Sequence, residues 1–333
     1  MKKYVAYGIG AALVDTEIKV QDSELAQMNV EKGMMTLVDA DRQTELMAHL
    51  EGHLVKASHA SGGSAGNSMI ASAQFGGPTF MSCKVANDAD GDIYIADLEA
   101  AGVDHCLNGL REDGTTGKCL VLISPDAERS MNTNLSISET LSDKQLVPEA
   151  IEQSEYLYLE GYLVTSPTGR AAAVKAREIA EKAGVKTSLS FSDPGMVEFF
   201  RDGMQEMIGE RINLVFCNEA EALGWGQTDN LEVAIEKMKY VADTFVITRG
   251  SEGALTFDGE NLAEIPPHQV HAVDSNGAGD MFAGAFLYAI SRGEDFPTAG
   301  RFASLAAGKI VANYGPRLPA EDYPALRAEF FGD

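Results

Sequence analysis

From about residue 155 onward the chain alternates short apolar runs with amphipathic ones, and this pattern restricts the fold more than any other feature. Residues 156–161 read as a strand, after which Ser166 is a natural helix N-cap and Pro167 a natural first helical residue. Val174, Ile179, Ala180 and Ala183 share one face of that helix, and Gly184 stops it. Strand patterns return at 185–191, 212–217 and 245–248, and a helix from about Leu231 shows Ala234, Ile235, Met238, Val241 and Ala242 at helical spacing. Parallel neighbours need crossover connections, so repeated β-α-β implies a mostly parallel sheet with helices on both faces.

The first third reads differently. Tyr4, Val5, Tyr7 and Ile9 suit a buried first strand. Met1-Lys2-Lys3 before an apolar run imitates a short secretory leader, but Gly8 and Gly10 interrupt it and Asp15 and Glu17 follow, which favours the strand. Residues 13–37 are polar and strand-like rather than helical. Residues 119–124, the turn 125–128 and residues 129–134 read as a hairpin. The two segments are expected to pair as a small sheet appended to the main one. At 333 residues the chain has room for two domains or for one large α/β domain with such an appendage.

Composition narrows the function. With 26 Lys+Arg against 50 Asp+Glu the formal net charge is −24, which argues against binding nucleic acid or an acidic membrane face. No run approaches the roughly 20 apolar residues of a membrane-spanning helix. Cys83, Cys106, Cys119 and Cys217 lie far apart with no zinc-ligand spacing, and read as reduced, buried residues of a cytoplasmic protein. His49, His53, His59, His105, His268 and His271 form no ligand constellation. The acidic excess is expected on a solvated outer surface.

The strongest chemical signal is Asp274-Ser275-Asn276-Gly277-Ala278-Gly279-Asp280, followed by Phe282, Ala285, Phe286 and Ala289 at helical spacing. A Gly-Ala-Gly turn feeding a helix start presents backbone N–H groups to an anion, and the helix dipole favours negative charge there. Asp280 in the first helical turn is placed to take a proton from an attacking hydroxyl. The alternative is an ordinary loop with Asp280 serving the dipole. Gly62-Gly63-Ser64-Ala65-Gly66-Asn67-Ser68 reads either as a second glycine loop or as a flexible loop capped by Asn67. Asn218 followed three residues later by Glu221 is a capping-box pattern, and Gly250 and Gly253 mark a hairpin turn between Val246 and Leu255.

These motifs together resemble the signatures of the ribokinase-like (PfkB) family of carbohydrate and nucleoside kinases, closest to its bacterial adenosine-kinase-like branch. Asp15, Asp88 with Gly91, Thr116-Gly117 and residues 248–253 extend the similarity over nearly the whole chain. The resemblance implies one ribokinase-like α/β domain spanning 1–333, with a β-sheet lid formed from about 13–37 and 105–135. It implies an ATP-dependent, Mg²⁺-assisted kinase that phosphorylates a primary hydroxyl of a nucleoside, adenosine favoured, or of a free sugar. A non-catalytic ligand sensor is the remaining alternative.

Residue by residue, Asp280 would be the base, and Gly277, Ala278 and Gly279 the cradle for the transferred phosphoryl group. Asp15, Gly62, Gly63 and Asn67 would meet the substrate. Asn218, Thr248, Gly250 and Gly253 would meet the nucleotide. Glu221 would hold Mg²⁺ through water, and Asp274 and Asn276 lie near a monovalent-cation position, K⁺ in many members. Arg249 could meet phosphate or solvent, and Glu160 lies where some relatives contact substrate. A dinucleotide oxidoreductase, prompted by Gly8-Ile9-Gly10, fails because Leu13 occupies the position that needs a small residue. Both a monomer and a homodimer remain open.

Overall fold

The computed structural model describes residues 2–332 except 54, 108 and 110, and for 55–60 the backbone alone. Its main sheet has nine strands. In spatial order they are Leu262–Ile265, Ala254–Phe257, Ala242–Thr248, Ile212–Asn218, Lys186–Ser190, Ser154–Glu160, Tyr4–Ile9, Thr79–Ser82 and Asp104–His105. Pairing is parallel from Ala242–Thr248 through to Asp104–His105 and antiparallel only at the other edge. The expected strands at 156–161, 185–191 and 212–217 form within a residue or two at their ends; the helix from Leu231 stops at Val241, so Ala242, expected on it, instead opens the strand Ala242–Thr248 that covers 245–248. Ser166 caps the helix Pro167–Lys182 by accepting from Gly169 N at 3.1 Å.

The strand order runs outward in both directions from Tyr4–Ile9, so a topological switch point lies between it and Ser154–Glu160. Ligand crevices in open α/β sheets form beyond the C-terminal strand ends at such points, because the connecting loops diverge there. Glu160 and Gly10 sit at that opening.

A second sheet pairs Met35–Leu37, Arg129–Asn134, Gly117–Ile123, Leu13–Lys19 and Val55–Gly62 in that order. The hairpin expected at 119–134 forms with one-to-one pairing from Lys118↔Asn134 to Ile123↔Arg129. The expectation that 13–37 is strand-like needs correction, because Asp22–Gln27 is a short helix, with Gln21 and Glu24 forming a capping box. Polar composition hid it: only Leu25 of that helix is buried, so it lacks an apolar stripe. The strand Val55–Gly62 is built of small and polar residues that lack strong β-propensity, so tertiary pairing decides its state. Among the described residues no helix is long and apolar enough to cross a membrane.

One helix crossing positions the site. Ser64–Gln74 packs against Ala278–Ser291, and a Cβ on Gly284 would overlap the Ser68 carbonyl oxygen. Glycine within a helix costs about 1 kcal/mol relative to alanine, so close packing explains its presence. Gly284→Val is therefore expected to lower stability by about 1–3 kcal/mol through overpacking. The check is the urea denaturation midpoint, and an unchanged midpoint would mean the two helices have room to spare.

Candidate active site

A cleft of about 730 Å³ opens at the switch point, between the main sheet and the small one. Its walls include Asp15, Gly63, Asn67, Asn218, Glu221, Thr248, Gly250, Asn276, Gly277, Ala278, Gly279 and Asp280. Three expected site residues do not line it. Gly62 lies behind Asp15, where any Cβ would overlap the Asp15 carboxylate. Asp274 is fully buried beneath the glycine turn. Gly253 lines an adjoining cavity of about 350 Å³, which shares Thr248, Gly250, Ala278 and Gly279 with the main cleft.

The two glycine-rich segments, some 200 residues apart in sequence, converge on one carboxylate. Ser64 Oγ donates to Asp280 Oδ1 at 2.6 Å, and Asn67 Nδ2 donates to Oδ2 at 3.1 Å. Both helices begin here, at Ser64 and Ala278, so two positive dipole ends face the same carboxylate. Burial nevertheless raises the Asp280 pKa above the ordinary aspartate value, with Ser64, Asn67 and Arg129 opposing the rise.

The turn itself shows why each glycine is there. Gly277 adopts φ 73° and its Cβ would overlap Pro316 O, so this glycine answers to the backbone. Gly279 has open space at its Cβ position, and it is exposed to the cleft. Ala278 N donates back to Ser275 O at 3.3 Å. An anion approaching the turn therefore meets open space at Gly279, at the start of a helix whose first N–H groups lack intrahelical partners.

Other cleft carboxyls are shifted far from their usual range. Asp15 is buried and its pKa is pushed up to about 7, first by burial and then by Glu17. Burial likewise pushes Glu160 up to about 7, although Ala11 N (3.2 Å) and Ala65 N (2.8 Å) donate to its two oxygens. Asp15 Oδ1 and Asn67 Oδ1 are buried acceptors with no hydrogen-bond partner among the described residues. Two orphaned acceptors on one wall fit a ligand that brings hydroxyl donors.

Glu221 completes the capping box that its spacing implied. Its Oε2 accepts from Asn218 N at 2.8 Å and its Oε1 from Asn218 Nδ2 at 2.9 Å, and burial pushes its pKa up to about 7. No group of three or more His, Cys, Asp or Glu side chains stands where it could hold a metal among the described residues. The His59 side chain lies outside them. Mg²⁺ commonly keeps several waters and relies on one or two carboxylates plus substrate phosphates, so a single buried glutamate on the wall fits it. Asp274 is stapled by Asn276 N at 2.8 Å and Gly315 N at 3.0 Å, and the Asn276 amide nitrogen is spent on Glu17. The Asn276 side chain thus offers its N–H to a carboxylate.

Ser64, Arg129 and Asp193 line the cleft without having been singled out by motif spacing. Arg129, at the start of a small-sheet strand, donates to Ser275 O at 3.1 Å, and its buried Nε has no partner among the described residues. An isolated arginine after a turn carries no signal in sequence. Asp193 also lines the cleft and caps the helix Pro194–Phe199. Arg249, left open between phosphate and solvent, instead pairs with Glu219 at 2.7 Å and with Glu252.

A glycine turn at a helix N-terminus, facing a half-buried aspartate at the switch point of a mostly parallel sheet, is the arrangement of a phosphotransferase. Residues 32–322 match the pattern described as pfkB family carbohydrate kinase. The chain belongs to that family, and it is an ATP-dependent kinase with an alcohol group as acceptor. Among solved structures, the probable sugar kinase of Rhizobium etli superimposes with a TM-score of 0.93 at 30% identity, over 100% of this chain and 99% of that one. The adenosine kinase of Sinorhizobium meliloti gives 0.92 at 30% identity, over 98% and 99%. The adenosine kinase of Saccharomyces cerevisiae is 25% identical over 94% of this chain and 96% of its own length.

The raised carboxyls give a testable pH dependence. Asp15, Glu17, Glu160 and Glu221 have pKa values of about 7 when folded, against 3.8 for aspartate and 4.5 for glutamate ordinarily. Between those values the folded chain binds more protons than the unfolded one, so this contribution to stability is lost as pH rises. The ligand-free melting temperature is expected to fall from about pH 4.5 to above about pH 7, with a shallower slope in Glu160→Gln. A melting temperature that rises across that window would overturn the burial-driven shifts.

Proposed function

We propose that this kinase transfers the terminal phosphoryl group of ATP to the primary hydroxyl of a nucleoside, with adenosine the favoured acceptor. The observation that carries the reading is the Ser64 and Asn67 grip on Asp280 beside the buried acceptors of Asp15 and Asn67, which have no partner among the described residues. Asp15 and Asn67 take hydroxyls of the sugar, which orients its primary hydroxyl toward Asp280. An apolar wall of Leu13, Met35, Met131 and Leu135 lines the same cleft, and a nucleobase would cover it.

Asp280 takes the hydroxyl proton as the oxygen bonds to the terminal phosphorus. The bond from that phosphorus to its bridging oxygen breaks, and ADP leaves. A carboxyl with a raised pKa is better matched to that proton than an ordinary aspartate. The Gly277, Ala278 and Gly279 turn faces the transferred group, and Arg129, reaching over from the hairpin, supplies positive charge. Thr248 and Gly250 lie under the donor phosphates, with Asn218 and Gly253 flanking them. Mg²⁺, held through water at Glu221, would neutralise phosphate charge.

Free-sugar phosphorylation is the second reading, prompted by the Rhizobium relative described as a probable sugar kinase. ADP release over a panel of nucleosides and sugars distinguishes the two, and turnover confined to free sugars would replace the nucleoside reading. Asp280→Asn is expected to lower kcat by roughly 10²–10⁴-fold, with acceptor affinity largely kept. Unchanged kcat would remove Asp280 from the base role.

The small sheet acts as a lid that closes to exclude water, since an accessible phosphoryl group would be hydrolysed. Hydrogen exchange in residues 13–37 and 118–134 is therefore expected to slow when acceptor and a non-hydrolysable ATP analogue are both bound. Exchange that stays constant would mean a fixed cover.

A further inference from the structure

Glu17 is fully buried yet takes no part in the chemistry above. Its Oε1 accepts from Asn276 Nδ2 at 2.7 Å, and its Oε2 has no partner among the described residues. Burying a carboxyl with an unsatisfied oxygen costs stability that a small apolar or hydroxyl residue would not. Its position gives that cost a purpose. Glu17 lies two residues after Asp15 on the strand Leu13–Lys19, and strand side chains alternate with a period of two, so both point to the same face. One strand face therefore meets the acceptor through Asp15 and the glycine turn through Glu17.

The partner is equally well placed. Asn276 immediately precedes Gly277, and its own N–H is fixed on Asp274. The small sheet touches the turn again one residue earlier, where Ser275 Oγ donates to Ala127 O at 3.1 Å and Arg129 donates to Ser275 O. Contacts to Ser275 come from the hairpin, through Ala127 in its turn and Arg129 on its second strand, and the Glu17 contact to Asn276 is the one on the strand that carries Asp15.

We propose that Glu17 is a positioning residue that couples acceptor occupancy at Asp15 to the shape of the phosphoryl-binding turn through Asn276. This rests on the reading of Asp15 as the acceptor-hydroxyl residue. Occupancy of Asp15 orders the strand, the strand holds Glu17, and Glu17 holds the Asn276 side chain while Gly277 and Gly279 receive the phosphoryl group. Coupling of this kind is reciprocal, so each ligand must tighten the other by the same factor.

The experiment is calorimetric titration of AMP-PNP with Mg²⁺, with and without saturating adenosine, and the reverse titration. The wild-type protein is expected to show tightening of about tenfold in both directions. In Glu17→Leu and in Asn276→Ala the factor should fall to about one, with no further change in the double variant, because the two residues act as one unit. Glu17→Gln keeps a side-chain oxygen for Asn276 and should retain the factor. The kcat of Glu17→Leu should fall more than its KM rises.

A factor near one in the wild-type protein, or wild-type coupling in Asn276→Ala, would overturn the proposal. So would a Glu17→Leu variant with a lower melting temperature and an intact factor. If Glu17→Leu does not fold, the Asn276→Ala result decides. Asp15→Ala separates this proposal from the reading beneath it: unchanged adenosine affinity there means that Asp15 does not hold the acceptor, whatever Glu17 does.

Discussion

Ser64 and Asn67 hold the two oxygens of Asp280 across a helix crossing that Gly284 keeps close. Those contacts require that two helices, each bringing its positive end, stop against each other at the mouth of the parallel sheet. A carboxylate placed there is fixed in orientation by side-chain donors and kept at a raised pKa by burial. The glycine turn preceding the second helix then lies next to it by chain connectivity alone. Proton acceptor and anion site are therefore products of one packing contact.

An acidic chain that must receive a polyphosphate faces a physical conflict, since negative charge repels it. The cleft resolves this locally. Burial raises the pKa values of Asp15 and Glu160 to about 7, which reduces the charge they present. Arg129 enters from the small sheet with no carboxylate hydrogen-bonded to it among the described residues. Arg249 is already matched by Glu219 and Glu252. The net charge of −24 thus describes the outer surface better than the site.

Much of this was legible locally. The Pro167 helix start, the Ala278 helix start and the Asn218–Glu221 capping box each depend on residues within a few positions of one another. Glycine and cap chemistry act over that range, so spacing is enough to find them. The short helix Asp22–Gln27 and the strand Val55–Gly62 were not legible, because their states are set by what they pack and pair against. The structure also supplies steric reasons for two glycines that spacing does not give: Gly62 makes room for Asp15, and Gly277 accommodates Pro316.

The sequence by itself determined the parallel α/β architecture, the helix starts and the set of glycines and carboxyls from which a kinase site can be built. It did so because periodicity, capping and backbone freedom are short-range effects. Only the tertiary structure decided that Ser64 and Asn67 grip Asp280, that Arg129 enters the cleft, and that Glu17 reaches Asn276 across 259 positions of chain. Burial decided which carboxyls shift, because desolvation depends on everything folded around a group and not on its neighbours in sequence.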